Sequence, residues 1–135
     1  MIKVTIEYLD GLRCKATHGP SGVSIQTDAP VDNHGKGELF SPTDLVATGL
    51  GSCISTVIGI LAERKGWALK GLRVEVVKEM TQHPPRRIAR LAADVWMPLA
   101  LTPAERDVVE RTARTCPVHQ SLHPEIEAPI VFHWP

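Results

Sequence analysis

Apolar and polar residues alternate from the start of the chain: Ile2, Val4, Ile6 and Tyr8 fall on one side, and Lys3, Thr5 and Glu7 on the other. A period of two belongs to a strand with one buried face. Asp10-Gly11 is a hairpin signal. The chain returns as "LRCKATH", with Leu12, Cys14 and Ala16 on one face, and "GVSIQTDAP" gives a third short strand. The Gly-, Asp- and His-rich "VDNHGKGELF" reads as a loop.

At "SPTD" the pattern changes. Ser41 fits an N-cap, Pro42 the first helical position, and Asp44 stands three after the cap, as in a capping box. The helix runs to "ERKG", where Arg64 and Lys65 complement the negative end of the dipole and Gly66 supplies the stop. It is apolar nearly all round, which predicts burial in the centre of the fold. Leu45 to Ala62 carries no charge over 18 residues, the length of a membrane span. Its three glycines and four hydroxyl side chains, and the strands elsewhere that need an apolar partner, favour a core helix and no membrane. Thr48, Ser52, Ser55 and Gly59 form a stripe of small residues that suits close packing of a second helix, from this chain or from a partner copy.

Beyond the helix, "LKGLRVEVVKEM" and "RRIARLAADVWMPLAL" read as strands separated by the breaker "QHPP". Thr102, Pro103 and Glu105 open a further helix through "TPAERDVVERTART", "CPVHQSLHPEIEAP" is a turn or short helix, and "IVFHW" is a closing strand. Three strands, a buried helix, two strands, a helix and a strand predict an α+β fold, an antiparallel sheet wrapped on the central helix, in a single domain over 1–135.

Composition narrows the function. The formal net charge is zero and only 4% of residues are aromatic, so neither the basic footprint nor the stacking platforms of nucleic-acid binding are present. "MIKVTIEYLDG" reads as a strand rather than a leader, and a cytoplasmic location is the expectation. Three widely spaced cysteines do not form a secreted disulfide framework; in a reducing compartment such thiols are core residues, metal ligands or redox groups.

Cys53 lies in "GLGSC", deep in the long helix, and the residues alone leave it either a small core residue or a thiol kept reachable by small neighbours. Cys116 precedes a proline at a helix start, where free N–H groups favour thiolate. Cys14 reads as a plain core residue on its strand. Cys53, Cys116, His119 and His123 are also donors that zinc accepts, but no CxxC or HExxH spacing is present, so no metal is assigned.

"FSPTDLVATGLGSC", followed about sixty residues later by "CPVHQSLHPEIE", resembles the OsmC/Ohr family of thiol-dependent peroxidases, over nearly the whole chain and closest to its OsmC-like subgroup. The resemblance implies an OsmC-like fold and an intertwined homodimer with its sites at the subunit interface. It implies that Cys53 is the peroxidatic thiol and Cys116 the thiol that resolves it, with an organic hydroperoxide as substrate, an external dithiol as reductant and no cofactor. The family activates its thiol with an arginine and a glutamate. Here the family's glutamate position holds Thr43, and the nearest carboxylate is Asp44. The loop before the helix offers only His34 and Lys36 in place of the arginine, and lysine lacks the guanidinium's bidentate fork. The expectation is a hydroperoxide reductase working through Cys53, Cys116 and Asp44. Its rival is a binding module of the same fold for a small apolar or thiol-reactive ligand.

Overall fold

In the computed structural model, which describes residues 1–135, the opening alternation becomes an antiparallel sheet in the order β1-β2-β3, with β1 Val4–Tyr8, β2 Arg13–His18 and β3 Ser24–Asp28. Asp10, Gly11 and Leu12 all take positive φ (75°, 62° and 62°), and the Leu9 N–H donates to the Arg13 carbonyl at 2.8 Å to close the turn. Leu12 therefore sits in the turn and not on the face of Cys14 and Ala16. Register sets Tyr8 opposite Cys14, Ile6 opposite Ala16 and Ala16 opposite Ile25. One face of the sheet is thus Val4, Ile6, Tyr8, Cys14, Ala16 and Ile25. It is uncovered: Ile6 and Tyr8 are each 61% exposed.

This sheet and the loop after it form the first of two units, Met1–Val46. Its buried residues are Thr27, Asp28 and Ser41, so no large apolar side chain is buried within it. Its organising group is a carboxylate. Asp28 accepts from Arg13 Nε (2.8 Å) and Nη2 (2.9 Å) and from the Glu38 N–H (3.2 Å). The loop folds back tightly, and a Cβ at Gly35 would lie 1.7 Å from the Ala29 carbonyl oxygen, so only glycine fits there.

The second unit, Ala47–Pro135, is built on α1 (Pro42–Lys65), which begins just before it. The start of α1 is a reciprocal capping box. Ser41 Oγ accepts the Asp44 N–H at 3.0 Å, and Asp44 Oδ2 accepts the Ser41 N–H at 2.8 Å. Its end is Gly66 at φ 71°, in the left-handed region that glycine adopts without cost. Ala47, Leu50, Ile54, Ile58 and Ala62 recur at spacings of three and four and form the buried stripe.

Beneath that stripe lies a sheet in the order β4-β5-β6, with β4 Arg73–Met80, β5 Ile88–Trp96 and β6 Ile130–His133. β4 and β5 are antiparallel, but β6 runs parallel to β5, so this sheet is mixed where an all-antiparallel one was expected. Helix α2 (Pro103–Arg114), with its Thr102–Glu105 capping box, and the short α3 (Pro117–Ser121) occupy the crossover that a parallel pair requires. Leu50, Ile54, Ile58, Leu91, Val95 and Val109 are fully buried and form the centre of the core. Gly51 lets α1 approach β4, since a Cβ there would stand 3.2 Å from Val76 Cγ2.

The α+β class and the long core helix match expectation. Burial all round the helix does not. α1 is long and apolar enough to cross a membrane, yet one stripe is committed to the core, and Val46, Ser52, Thr56 and Ile60 on the other side are exposed.

Candidate functional site

Cys53 stands on the flank of the α1 stripe, directly before the fully buried Ile54, half-buried and packed against the core. One turn earlier on the same flank is Gly49, where an added Cβ would meet nothing within 4 Å. The small neighbour leaves space beside the thiol.

Cys116 reaches the same place from the far end of the chain. It follows α2 and is the N-cap of α3, with Pro117 in the first helical position. The side chain is fully buried, and its sulfur accepts the His119 N–H at 3.5 Å. Cys116 belongs to the core cluster against which Cys53 packs, and the two thiols are near enough to influence each other's ionisation. Burial pushes the Cys116 thiol above the ordinary cysteine range, and the neighbouring Cys53 thiol acts in the same direction. The N–H groups of His119 and Val118 pull partly back. Cys116 is therefore a protonated thiol at neutral pH. Of the two sulfurs, Cys53 is the one with an open flank.

The remaining candidates lie elsewhere. Asp44 forms the capping box of α1, about 13 Å along the helix axis from Cys53 at 1.5 Å per residue. His34 and Lys36 are exposed on the loop of the first unit, and Cys14 lies half-buried on the uncovered face of β1-β2-β3. His119 and His123 are engaged with backbone: His119 Nε2 lies 3.1 Å from the Ala128 carbonyl, and His123 Nδ1 accepts the Glu125 N–H at 3.1 Å. No three His, Cys, Asp or Glu side chains converge as a metal-binding group.

One charged group escaped the sequence reading. Arg13 is held by Asp28 in a bidentate pair and touches Glu38 at 3.5 Å. That pair holds the Asp28 carboxyl below the usual carboxylate range and raises the guanidinium in turn. Arg13 and Asp28 are directly opposed across β2 and β3. Opposite charges at paired positions of the β2 and β3 strands are the sequence signal for this pair, and they lie outside the loop before α1.

The family profile described as OsmC-like protein matches residues 35–130. Among solved structures, one described as an osmotic stress induced and detoxification response protein of Psychrobacter arcticus 273-4 is 41% identical. The alignment covers 98% of this chain and 96% of that one, with a TM-score of 0.93. Two further likenesses bear on fold alone. An organic hydroperoxide resistance protein OsmC of Legionella pneumophila is 13% identical, with 98% and 96% of the two chains covered and a TM-score of 0.77. A structure described as an organic hydroperoxide resistance protein of Vibrio cholerae, with captopril in one of its active sites, is 18% identical, with 96% and 90% covered and a TM-score of 0.74. A search of curated proteins finds no match. The profile match over most of the chain, and an identity of 41% sustained along its length, make this protein a member of the OsmC-like family.

Proposed function

We propose that the protein is a thiol-dependent peroxidase that reduces organic hydroperoxides to alcohols through Cys53 and Cys116. The observation that carries this reading is that both thiols lie at the same core cluster, one with an open flank and one buried and protonated. In the proposed cycle the Cys53 thiolate attacks the distal oxygen of ROOH. The O–O bond breaks, an S–O bond forms, the alcohol leaves, and Cys53 becomes a sulfenic acid. Cys116 attacks that sulfur, the S–O bond breaks, and the oxygen leaves as water with the Cys116 proton. An external dithiol then reduces the disulfide by exchange. The raised Cys116 thiol suits the second role, because a protonated sulfur does not compete with Cys53 for peroxide.

In this proposal Asp44, carried by the same helix as Cys53, is the carboxylate of the family pattern. The working unit is a homodimer in the cytoplasm, where thiol reductants keep both cysteines available. An uncovered apolar surface supports the dimer: the Ile6–Tyr8 face of β1-β2-β3, of the kind that marks an interaction site.

The test is consumption of tert-butyl hydroperoxide by the Cys14→Ser protein with a dithiol present. Turnover is expected. Cys53→Ser should abolish it, and Cys116→Ser should consume hydroperoxide without forming a disulfide within the chain, its sulfenic acid being reduced directly by the dithiol. A parent protein that consumes no hydroperoxide would overturn the peroxidase and leave the binding module.

A further inference from the structure

Cys116 occupies its position because of the residue three places on. Its sulfur accepts the backbone N–H of His119, the third residue of α3. In an ordinary capping box that third side chain turns back to the cap. Here it turns outward, and its ring nitrogen Nε2 lies 3.1 Å from the Ala128 carbonyl. A carbonyl only accepts, so Nε2 carries the proton and donates.

Ala128 is a fixed anchor. The flanking carbonyls of Glu127 and Pro129 accept from Leu91 (2.8 Å) and Ala93 (2.9 Å) on β5, and the Glu127 N–H donates to Ala89 at 3.0 Å. Carbonyls alternate along an extended segment, so the Ala128 carbonyl turns away from β5 and lacks a strand partner. His119 supplies one. A single residue thereby ties the Cys116 sulfur, through its main chain, and the rim of the sheet, through its ring.

We infer that His119 is the positioning residue of the resolving step: its bond to the Ala128 carbonyl holds the start of α3 so that the Cys116 sulfur stays against Cys53. The inference rests on the two-thiol reading and adds to it a determinant of how fast the Cys53 sulfenic acid is captured. Capture by Cys116 gives the disulfide and water. A second hydroperoxide competes for the same sulfur, giving a Cys53 sulfinic acid and another molecule of alcohol. Loss of positioning shifts the partition toward the sulfinic acid.

Two variants in the Cys14→Ser background separate positioning from packing. His119→Phe keeps a ring of similar bulk and loses the donor; His119→Gln keeps a donor at the end of the side chain. Each protein is equilibrated with glutathione redox buffers to obtain the effective concentration of the Cys53–Cys116 pair, and is then titrated with tert-butyl hydroperoxide, with Cys53 oxidation read by mass spectrometry. In His119→Phe we expect the effective concentration to fall about tenfold, equivalent to about 30 mV for a two-electron couple, and the sulfinic fraction to rise. His119→Gln should stay close to the parent on both readouts. A Phe variant equal to the parent, or a Gln variant as impaired as Phe, would overturn the inference. The glutathione equilibrium needs no peroxide, so a parent inert toward hydroperoxide would remove the peroxidase and still leave the positioning of Cys116 measured.

Discussion

Oxidising the Cys53–Cys116 pair should stabilise the second unit by an amount that loop length determines. Both sulfurs lie at the same core cluster and influence each other's ionisation, so the bridge joins neighbouring parts of α1 and the start of α3. The closed loop runs from Cys53 to Cys116, about 64 residues. Loop-closure entropy for that length is about 14 cal/mol/K, which lowers the free energy of the folded state relative to the unfolded chain by about 4 kcal/mol at 25 °C. For a chain of 135 residues, with unfolding entropy near 2.1 cal/mol/K per residue, this corresponds to a rise in Tm of about 15 °C. The assay compares melting of the Cys14→Ser protein after dithiol reduction and after one equivalent of oxidant, at equal protein concentration because association shifts Tm as well. Mass spectrometry under denaturing conditions verifies the bridge. An oxidised form that melts at or below the reduced one would refute the reasoning. It would mean that the bond pulls the sulfurs out of the positions in which the fold places them.

The uncovered face of β1-β2-β3 gives a second expectation: Ile6→Glu should weaken self-association at least about 30-fold in sedimentation velocity, from about 2 kcal/mol of lost side-chain burial before any cost of the buried charge. Unchanged association would remove that face from the interface. The raised Cys116 thiol sets the sign of a pH effect. Above the ordinary thiol value the unfolded chain ionises this group while the folded chain retains the proton, so stability should fall as pH rises toward the folded value. Urea unfolding should show that alkaline slope in the parent and a smaller one in Cys116→Ala. Finally, Ser41→Ala removes the hydroxyl that accepts the Asp44 N–H. It should cost about 1 kcal/mol in denaturant unfolding and leave hydroperoxide consumption intact, whereas Asp44→Ala should reduce turnover; equal turnover in the two variants would reduce Asp44 to a cap.

Legibility followed the range of the interactions. Ser41-Pro42-Asp44 and Thr102-Pro103-Glu105 marked their helix starts correctly because a cap is settled within four residues. Gly66 marked the end of α1 for the same reason. Features set across the chain were not readable. The parallel pairing of β6 with β5 depends on a crossover containing α2 and α3, and "IVFHW" carries no mark of strand direction. The Arg13–Asp28 pair depends on register between two strands. An apolar helix such as α1 does not declare which side its own chain will cover. The residue patterns alone left Cys53 undecided between core and chemistry, and its pairing with Cys116 came from the resemblance. The fold adds that Cys53 packs against the core cluster to which Cys116 belongs.

The absence of large buried apolar side chains in Met1–Val46 bears on how the chain is made. Synthesis runs from the N-terminus, so this segment leaves the ribosome before α1's buried stripe does. It emerges with Val4, Ile6, Tyr8 and Ile25 exposed and without a buried apolar cluster of its own to order it. During that interval the β1 hairpin is an exposed apolar strand pair, the kind of element that holdase chaperones shield and that aggregates when crowded. Yield on expression should therefore depend more on the rate of synthesis and on temperature than the stability of the finished protein would suggest.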